Sequence, residues 1–384
     1  MSSPISVTVV MPSLNVAAYI RPCIESVLQQ TLRDLEIICV DAGSTDGTLE
    51  ILEEYARKDS RITILHSDRK SYGYQMNLGF DAARGEYLGI VETDDYAESD
   101  MFERLLDAAR RDRLDVAKAG YFLYYSREQR NEPCPIGSKA MCSRVFCPVT
   151  DFRSPVEQAE FFNLKPTIWS AIYRREFIRE QGIRFNETPG ASYQDLSFTF
   201  QVLALAGRVR LLPECYLHYR QDNEQSSVNS PGKVYCVCDE YDAIQAFLDS
   251  HPTLKGRLEP VMARMRYDSY MWNYGRLADE YKPAFVRRMS EDFAADMTAG
   301  KCVRRLYPLY KWRTMALVIQ APEEFERWKA AEKAGQPYTP RLPDESLPQK
   351  LRVRLAGGIA CVRDHGVAYT ARYAAEKIRR RIQS

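Results

Sequence analysis

The sequence predicts an α/β protein, with a mostly parallel sheet flanked by helices and a largely α-helical C-terminal extension. Three observations predict it. Short apolar, β-branched runs alternate with segments of helical periodicity over the first hundred residues, the pattern of βαβ units with right-handed crossovers. Three of those runs end in polar clusters, at 12–15, 41–46 and 92–95. Beyond Tyr235 the strand pattern gives way to helical spacing with Tyr, Arg and Met throughout. A chain of 384 residues can bury a large core, as two domains or one elaborated one.

The elements follow in order. "SVTVVMP" (5–11) reads as a buried parallel strand. Ala17, Ile20, Ile24, Val27 and Leu28 place a helix within 16–30. "LEIICVD" (35–41) is a second strand, closed by the turn "AGSTDG", and 48–58 is a helix. "ITILHS" (62–67) is a third strand, 76–83 a helix and "EYLGIVE" a fourth strand. A helix at 100–111 and a strand at "DVAKAGYFLYY" come next, then a polar segment, 126–155, that reads as an irregular loop. Residues 166–185 combine a short strand with a helix, 190–207 a loop entering a helix, and 209–220 a strand. The expected boundaries are 1–230 for the sheet domain, 231–335 for a helical extension, and 336–384 for a Pro-rich hinge and basic tail.

Hydrophobic content of 45% with 27% charged residues is that of an ordinary soluble protein. The balance of 53 basic and 52 acidic residues gives no global attraction to nucleic acid. The tail is different: residues 350–384 hold nine Lys/Arg against Asp364 and Glu376. "YTARYAAEKIRRRI" within it reads either as an amphipathic helix on an anionic membrane surface or as a solvated helix at a homo-oligomer edge. The N-terminus lacks a basic n-region and a long apolar stretch, so no signal peptide is expected, and no apolar run reaches the ~18 residues of a membrane span. Ten cysteines in that setting read as reduced cytosolic thiols, without zinc-site spacing. The expected location is cytoplasmic, with peripheral attachment to the inner membrane face through the tail as an extension of that reading.

In open parallel sheets ligands bind at the carboxyl ends of the strands, and all three polar clusters fall at that edge. Ordinary polar turns would explain any one of them. In "VETDDY" several carboxyl groups crowd the end of a buried strand and repel one another unless a cation or donors compensate. Mg²⁺ or Mn²⁺ suits Asp94 and Asp95, because these ions take carboxylate oxygens together with ligand phosphates. Helix capping is the competing explanation, and Asp100 is better placed for it.

"VTVVMPSLNVAAYIRPCIESVLQQTLRDLEIICVDAGSTDGT", followed by "NLGFDAARGEYLGIVETDDY", strongly resembles the family 2 glycosyltransferases of GT-A fold across roughly residues 5–225. The resemblance implies a nucleotide-sugar donor, with a UDP-sugar favoured, a saccharide or lipid-linked acceptor hydroxyl, and Mn²⁺ or Mg²⁺ at a DxD-type motif. Pro12, Ser13 and Asn15 match the first nucleotide-contacting loop. Asp41 matches the first acid of the family's strand-end pair, with Ala42 replacing the second. Asn77 matches the Asn of an A-R-N segment, with Met76 where Arg is usual. Glu92, Asp94 and Asp95 match D-x-D-D, with Asp95 expected on the metal, Asp94 on the ribose or donor sugar, and Glu92 off the metal.

The same resemblance makes Asp195, in "PGASYQDLSF", the general base of an inverting transfer, although a helix N-cap is the structural alternative. Trp169 matches the acceptor side as a stacking platform, or else belongs to the core. In "HYRQDNEQSSV" Arg220 is expected to reach the diphosphate and His218 is a candidate third metal ligand, against a structural role at a strand end. Tyr267, Tyr270, Trp272 and Tyr274 read as core or interface rather than a sugar platform. The implied function is an inverting, metal-dependent glycosyltransferase of surface-glycan assembly. The alternatives are a sugar nucleotidyltransferase, which would carry a Gly-rich loop with an activating Lys or Arg where "PSLNVAAY" has neither, and a non-catalytic sugar-nucleotide-binding scaffold.

Overall fold

The computed structural model describes residues 5–223 and 233–340. The first half contains β1 (Val7–Ser13), α1 (Ile20–Leu28), β2 (Leu35–Asp41), α2 (Thr48–Lys58), β3 (Ile62–His66), α3 (Tyr72–Ala82), β4 (Tyr87–Ile90), β5 (Tyr96–Ala97), α4 (Met101–Asp112) and β6 (Val116–Tyr125). It continues through β7 (Arg130–Cys134), α5 (Lys139–Cys142), β8 (Val145–Phe146), α6 (Pro155–Phe162), β9 (Ala171–Arg174), α7 (Arg175–Glu180), α8 (Gln194–Leu205) and β10 (Val209–Arg220). The helices α9 (Cys236–Ser250), α10 (Pro252–Arg276), α11 (Lys282–Thr298), α12 (Leu309–Gln320) and α13 (Pro322–Lys333) follow.

The described strands form one sheet in the order β3-β2-β1-β4-β9-β6-β10-β5, with β7 on β6 and β8 on β10. β1 pairs in parallel with both β2 and β4, and β9 inserts antiparallel between β4 and β6. β1 and β2 are buried along their whole length, as the unbroken apolar runs require of strands covered on both faces. Chain order reverses at β1, which sends its successor to one side and β4 to the other. The crevice at the carboxyl ends of β1 and β4 is therefore the topological switch point. Side chains there tie the strand ends together: Thr93 Oγ1 donates to the Pro12 carbonyl at 2.8 Å, and the Gln75 amide donates to the carbonyls of Ser13 (3.0 Å) and Val40 (2.7 Å).

Two readings of the sequence change. The helix expected at 76–83 starts at Tyr72, because Ser71 caps it by accepting from the Tyr74 N–H. The segment expected as an irregular loop carries β7, a hairpin partner of β6, together with α5 and β8. β7 is an exposed edge strand, so its polar composition hides it from a pattern that looks for apolar alternation.

The chain divides into two compact units at Lys282/Pro283, past the expected boundary at 230. α9 packs on α8, and α10 on α6 and α9, so both helices belong to the sheet unit. In the second unit α12 packs with α13, and Phe285, Phe293, Met315, Val318 and Phe325 are buried. The basic segment 350–384 lies outside the described residues. No helix among the described residues is long and apolar enough to cross a membrane.

Candidate active site

A cleft of about 600 Å³ opens over the switch point, a volume ordinary for a ligand pocket. Pro12, Ser13, Asn15, Glu92, Asp94, Trp169 and Asp195 all line it. Of the residues the sequence singled out, Asp41, Asn77, Asp95, His218 and Arg220 do not.

One wall is made by strand ends. Ser13 and Asp41 are register partners at the tips of β1 and β2. Asp41 Oδ2 accepts from the backbone N–H groups of Gly43 (2.9 Å) and Ser44 (3.1 Å), which fixes the turn. Asn15, in the left-handed region at φ 55°, accepts from the Thr45 N–H at 2.9 Å, so its side chain clamps this turn to the first loop. Asp46 completes the clamp through the N–H groups of Ala17 (2.9 Å) and Thr48 (3.0 Å). Asp95 Oδ1 accepts from the Arg220 N–H at 2.8 Å, tying the end of β10 to the acid turn. Three buried oxygens on this wall have no hydrogen-bond partner: Ser13 Oγ, Asp41 Oδ1 and Asp95 Oδ2. A buried polar atom left unpaired is costly unless a ligand satisfies it.

The acids repel one another. Glu92 accepts from the Tyr72 hydroxyl at 2.5 Å, and burial, with repulsion from Asp94 and Asp195, pushes its carboxyl up to about 8. Burial, followed by Asp94, raises Asp95 as well. Asp94 Oδ2 accepts from the Asn223 amide at 2.9 Å and its backbone carbonyl from Arg220 Nε at 2.8 Å. The Arg220 guanidinium lies over the rings of Tyr19 and Tyr124, 5.0 Å from each.

The opposite wall carries Asp195 in the first turn of α8. Tyr193, at φ 64°, occupies the N-cap, so Asp195 is not the cap. Burial raises the Asp195 carboxyl to about 6, and the N–H groups of Leu196 and Asp195 and the cations Lys118 and Lys165 oppose the shift. Lys118 stands inside β6, with Nζ donating to the carbonyl of Thr167, to its hydroxyl at 2.7 Å and to Ser170 Oγ at 3.3 Å; burial lowers it to about 7. Gln194 shapes the preceding loop, accepting from the Ser192 N–H (2.6 Å) and donating to Thr188 Oγ1 (2.9 Å) and the Gly190 carbonyl (3.1 Å). Gly73 lets this loop lie against α3, since a Cβ there would stand 2.0 Å from the Asn186 carbonyl oxygen. Trp169 is nearly buried, edge-on to Tyr121 (5.1 Å) and tilted against Tyr219 (5.3 Å).

Two expected ligand contacts are used inside the fold. The Asn77 amide donates to the Phe185 carbonyl and to Glu187 Oε1, each at 3.0 Å, and its oxygen accepts from the Phe185 N–H, so it braces the approach to the loop. His218 was expected as a candidate third metal ligand or as a structural residue at a strand end. Both its ring nitrogens are engaged, with Asn131 and Glu98 at 2.8 Å each, and its ring is stacked between Tyr96 and Phe122. Sequence reasoning missed Tyr72, Gln75, Lys118 and Lys165. Only Lys118 left a signal: a lone charge inside an apolar strand needs buried partners.

Among the described residues no three His, Cys, Asp or Glu side chains group closely enough to hold a metal ion by themselves. The donor set nevertheless suits an ion that binds through one or two carboxylates plus ligand oxygens. Asp94 enters the cleft, and Asp95 beside it keeps a buried, unpartnered carboxylate oxygen.

The comparisons agree with this architecture. The chain is 32% identical over 227 residues to the uncharacterized glycosyltransferase EpsJ of Bacillus subtilis, covering 59% of this chain and 64% of that one. It is 39% identical over 106 residues to chondroitin synthase of Escherichia coli, 28% of this chain and 16% of that one. The chain thus spans less than two thirds of these curated relatives. S. aureus TarS residues 1–349, solved with UDP-GlcNAc, shares the fold at a TM-score of 0.66 and 17% identity, over 89% of this chain and 98% of that one. Residues 8–167 match the family described as Glycosyl transferase family 2.

Proposed function

We propose that the chain is an inverting, metal-dependent glycosyltransferase that moves a sugar from a nucleotide-sugar donor to an acceptor hydroxyl in polysaccharide or glycoconjugate assembly. The observation that carries this reading is the half-buried Asp195, with its carboxyl raised to about 6, sharing one cleft with Asp94 and Glu92. A base whose pKa lies just below neutrality is largely ionised at pH 7 yet still accepts a proton readily. Asp195 takes the acceptor hydroxyl proton as that oxygen bonds to the anomeric carbon. The bond from that carbon to the donor phosphate breaks, and the nucleoside diphosphate leaves with the electron pair.

Ser13 Oγ and Asp41 Oδ1 would receive the polar groups of the nucleoside. The relative solved with UDP-GlcNAc makes a uridine donor the favoured one. Asp94 and Asp95 would hold Mn²⁺ or Mg²⁺, which supplies neutralisation of the departing diphosphate. Arg220, anchored on the Asp94 carbonyl, adds positive charge on the same side. Trp169 forms the floor against which the acceptor lies. Lipid-linked acceptors, an anionic membrane contact through the tail and homo-oligomerisation extend the reading.

Incubating the full chain with UDP-, GDP- and CDP-sugars, with Mn²⁺ or with EDTA, tests it. Release of nucleoside diphosphate from one donor class, abolished by EDTA and by Asp195→Asn in the presence of acceptor, is expected. The reading fails if no donor is turned over, or if Asp94→Asn and Asp195→Asn both leave turnover intact. A sugar nucleotidyltransferase would leave these donors intact and release pyrophosphate only when given a nucleoside triphosphate and a sugar 1-phosphate, and a scaffold would bind donor without turnover.

A further inference from the structure

Four aromatic side chains of α10 resemble one another in sequence but not in placement. Tyr267, Tyr270 and Tyr274 are 3%, 0% and 7% exposed, whereas Trp272 is 51% exposed. About half of this indole is left uncovered on a helix whose other three aromatics are buried. Its neighbours explain where it stands. The Trp272 ring meets Tyr193 edge to face, with centroids 5.7 Å apart and planes at 89°. Tyr193 lines the cleft and lies two residues before Asp195.

The mounting is rigid. The Arg276 guanidinium sits over both rings, 5.2 Å from Tyr193 and 5.7 Å from Trp272. Its Nε donates to Asn273 Oδ1 and its terminal nitrogen to the Lys233 carbonyl, each at 3.0 Å. The Asn273 amide donates to the Val234 carbonyl at 3.1 Å, and Lys233 reaches across to the Ala191 carbonyl beside the cleft. α10, the segment 233–234 and the loop carrying Asp195 are thereby joined around one exposed indole. Tyr193 holds a left-handed backbone conformation unusual for a non-glycine residue, and it is fixed there by these contacts.

We propose that Trp272, seated on Tyr193, is an outer acceptor subsite that takes the apolar face of a sugar ring adjoining the one that reacts. A large, rigid aromatic surface with few rotors gives contact at low entropic cost, which suits a flat pyranose ring. Trp272 touches Tyr193, which lines the cleft two residues before the base. The subsite therefore selects an acceptor of two or more sugar units over a monosaccharide. This inference rests on the glycosyltransferase reading and adds the acceptor class to it.

The test is binding of the full chain to an array of di- to hexasaccharides with their matching monosaccharides, for wild type, Trp272→Ala and Trp272→Phe. Wild type is expected to prefer some oligosaccharide over its monosaccharide, Trp272→Ala to lose about tenfold on that ligand alone, and Trp272→Phe to lose less than about threefold. Because the indole is half exposed, Trp272→Ala should melt within about 2 °C of wild type, which separates lost binding from lost folding. The proposal is overturned if Trp272→Ala binds oligosaccharides as wild type does, or if wild type shows no oligosaccharide preference. Donor turnover by wild type is measured alongside. Its absence would remove the glycosyltransferase reading while the array still decides whether Trp272 binds sugar.

Discussion

The strand-end wall of the cleft and the wall that carries Asp195 hold their functional groups in different ways. Ser13, Asp41 and Asp94 stand at the ends of consecutive parallel strands, and the loops among them are fixed largely by neighbouring backbone N–H groups. The surroundings of Asp195 are built from several parts of the chain: Lys118 on β6 is held by Thr167 and Ser170 before β9, Gln194 shapes the loop before α8, and Gly73 on α3 lets that loop approach. The strand-end wall holds buried oxygens without a hydrogen-bond partner, and the other wall holds one acid whose raised pKa two cations oppose. A site of this kind should bind through the first wall and do chemistry through the second, so variants should separate binding from turnover according to the wall they touch.

The largest separation is expected at Asp195. Asp195→Asn removes the base and should lower transfer about 10²–10⁴-fold while donor affinity, read by thermal shift or calorimetry, changes less than about threefold. Asp94→Asn should do the reverse in proportion, with its main loss in metal-dependent donor affinity. If both variants lose donor affinity equally, the two walls are not functionally distinct.

Glu240 probes the Asp195 side through stability. It is fully buried on α9, accepts from Asn186 (3.1 Å) and from Ser197, and burial pushes its carboxyl up to about 8. An unfolded carboxyl titrates near its ordinary value of 4.5. Between 4.5 and 8 the folded chain therefore holds a proton that the unfolded chain releases, so this group lowers stability as pH rises through that window and by a constant amount above it. Glu240→Gln keeps acceptor capacity and removes the titration. Its melting temperature should exceed wild type by roughly 3–6 °C at pH 8.5 and match it near pH 4.5. A pH-independent offset would mean that Glu240 is not the group responsible.

Gly73→Ala tests whether the loop and α3 must touch. The added methyl would meet the Asn186 carbonyl at 2.0 Å, a clash with backbone rather than with a flexible side chain. A stability loss of about 1–3 kcal/mol is expected, with turnover falling further than donor affinity. Equal losses in both would show the loop to be coupled to the strand-end wall.

The strand-end wall was legible in sequence because its parts are contiguous: each apolar run ends in a polar cluster, and two of the three, through Ser13 and Asp94, line the cleft, with Asp41 fixing the turn beside them. The antiparallel pieces were not. β7 is polar because it is an exposed edge, and β9 is four residues long, within a segment that could be read only as a mixture of short elements. Tyr72 and Gln75 have nothing in their local sequence to show that one reaches Glu92 and the other two strand ends. His218 sat in a segment that invited a metal role, and only the fold shows its ring stacked between β5 and β6 with its nitrogens on Asn131 and Glu98. Trp272 and its tyrosine neighbours share one helical pattern, and exposure alone distinguishes them.

The smallest expected effect is also the most specific. Lys118 and Lys165 both oppose the raised pKa of Asp195, but Lys118 is buried among Thr167 and Ser170, whereas Lys165 is exposed over the rings of Tyr121 and Tyr219. Glu92, Glu240, Tyr72, Tyr173 and Tyr193 share the electrostatic surroundings of Asp195, so its charge is set by several elements at once. Near pH 6 Lys118, lowered only to about 7, is still mostly protonated and favours the ionised base. Removing that charge raises the pKa of Asp195, so the acidic limb of the rate profile should move to higher pH. In Lys118→Met a shift of roughly 0.5–1 unit is expected, with the alkaline plateau preserved, because a buried charge is little screened. Lys165→Met should shift the limb less, and its effect should fade at 1 M salt, where the screening length is about 3 Å. A merely structural role for Lys118 predicts a lowered plateau with the limb unmoved. The two variants therefore distinguish a lysine that supports the fold of this wall from one that sets the charge of its acid.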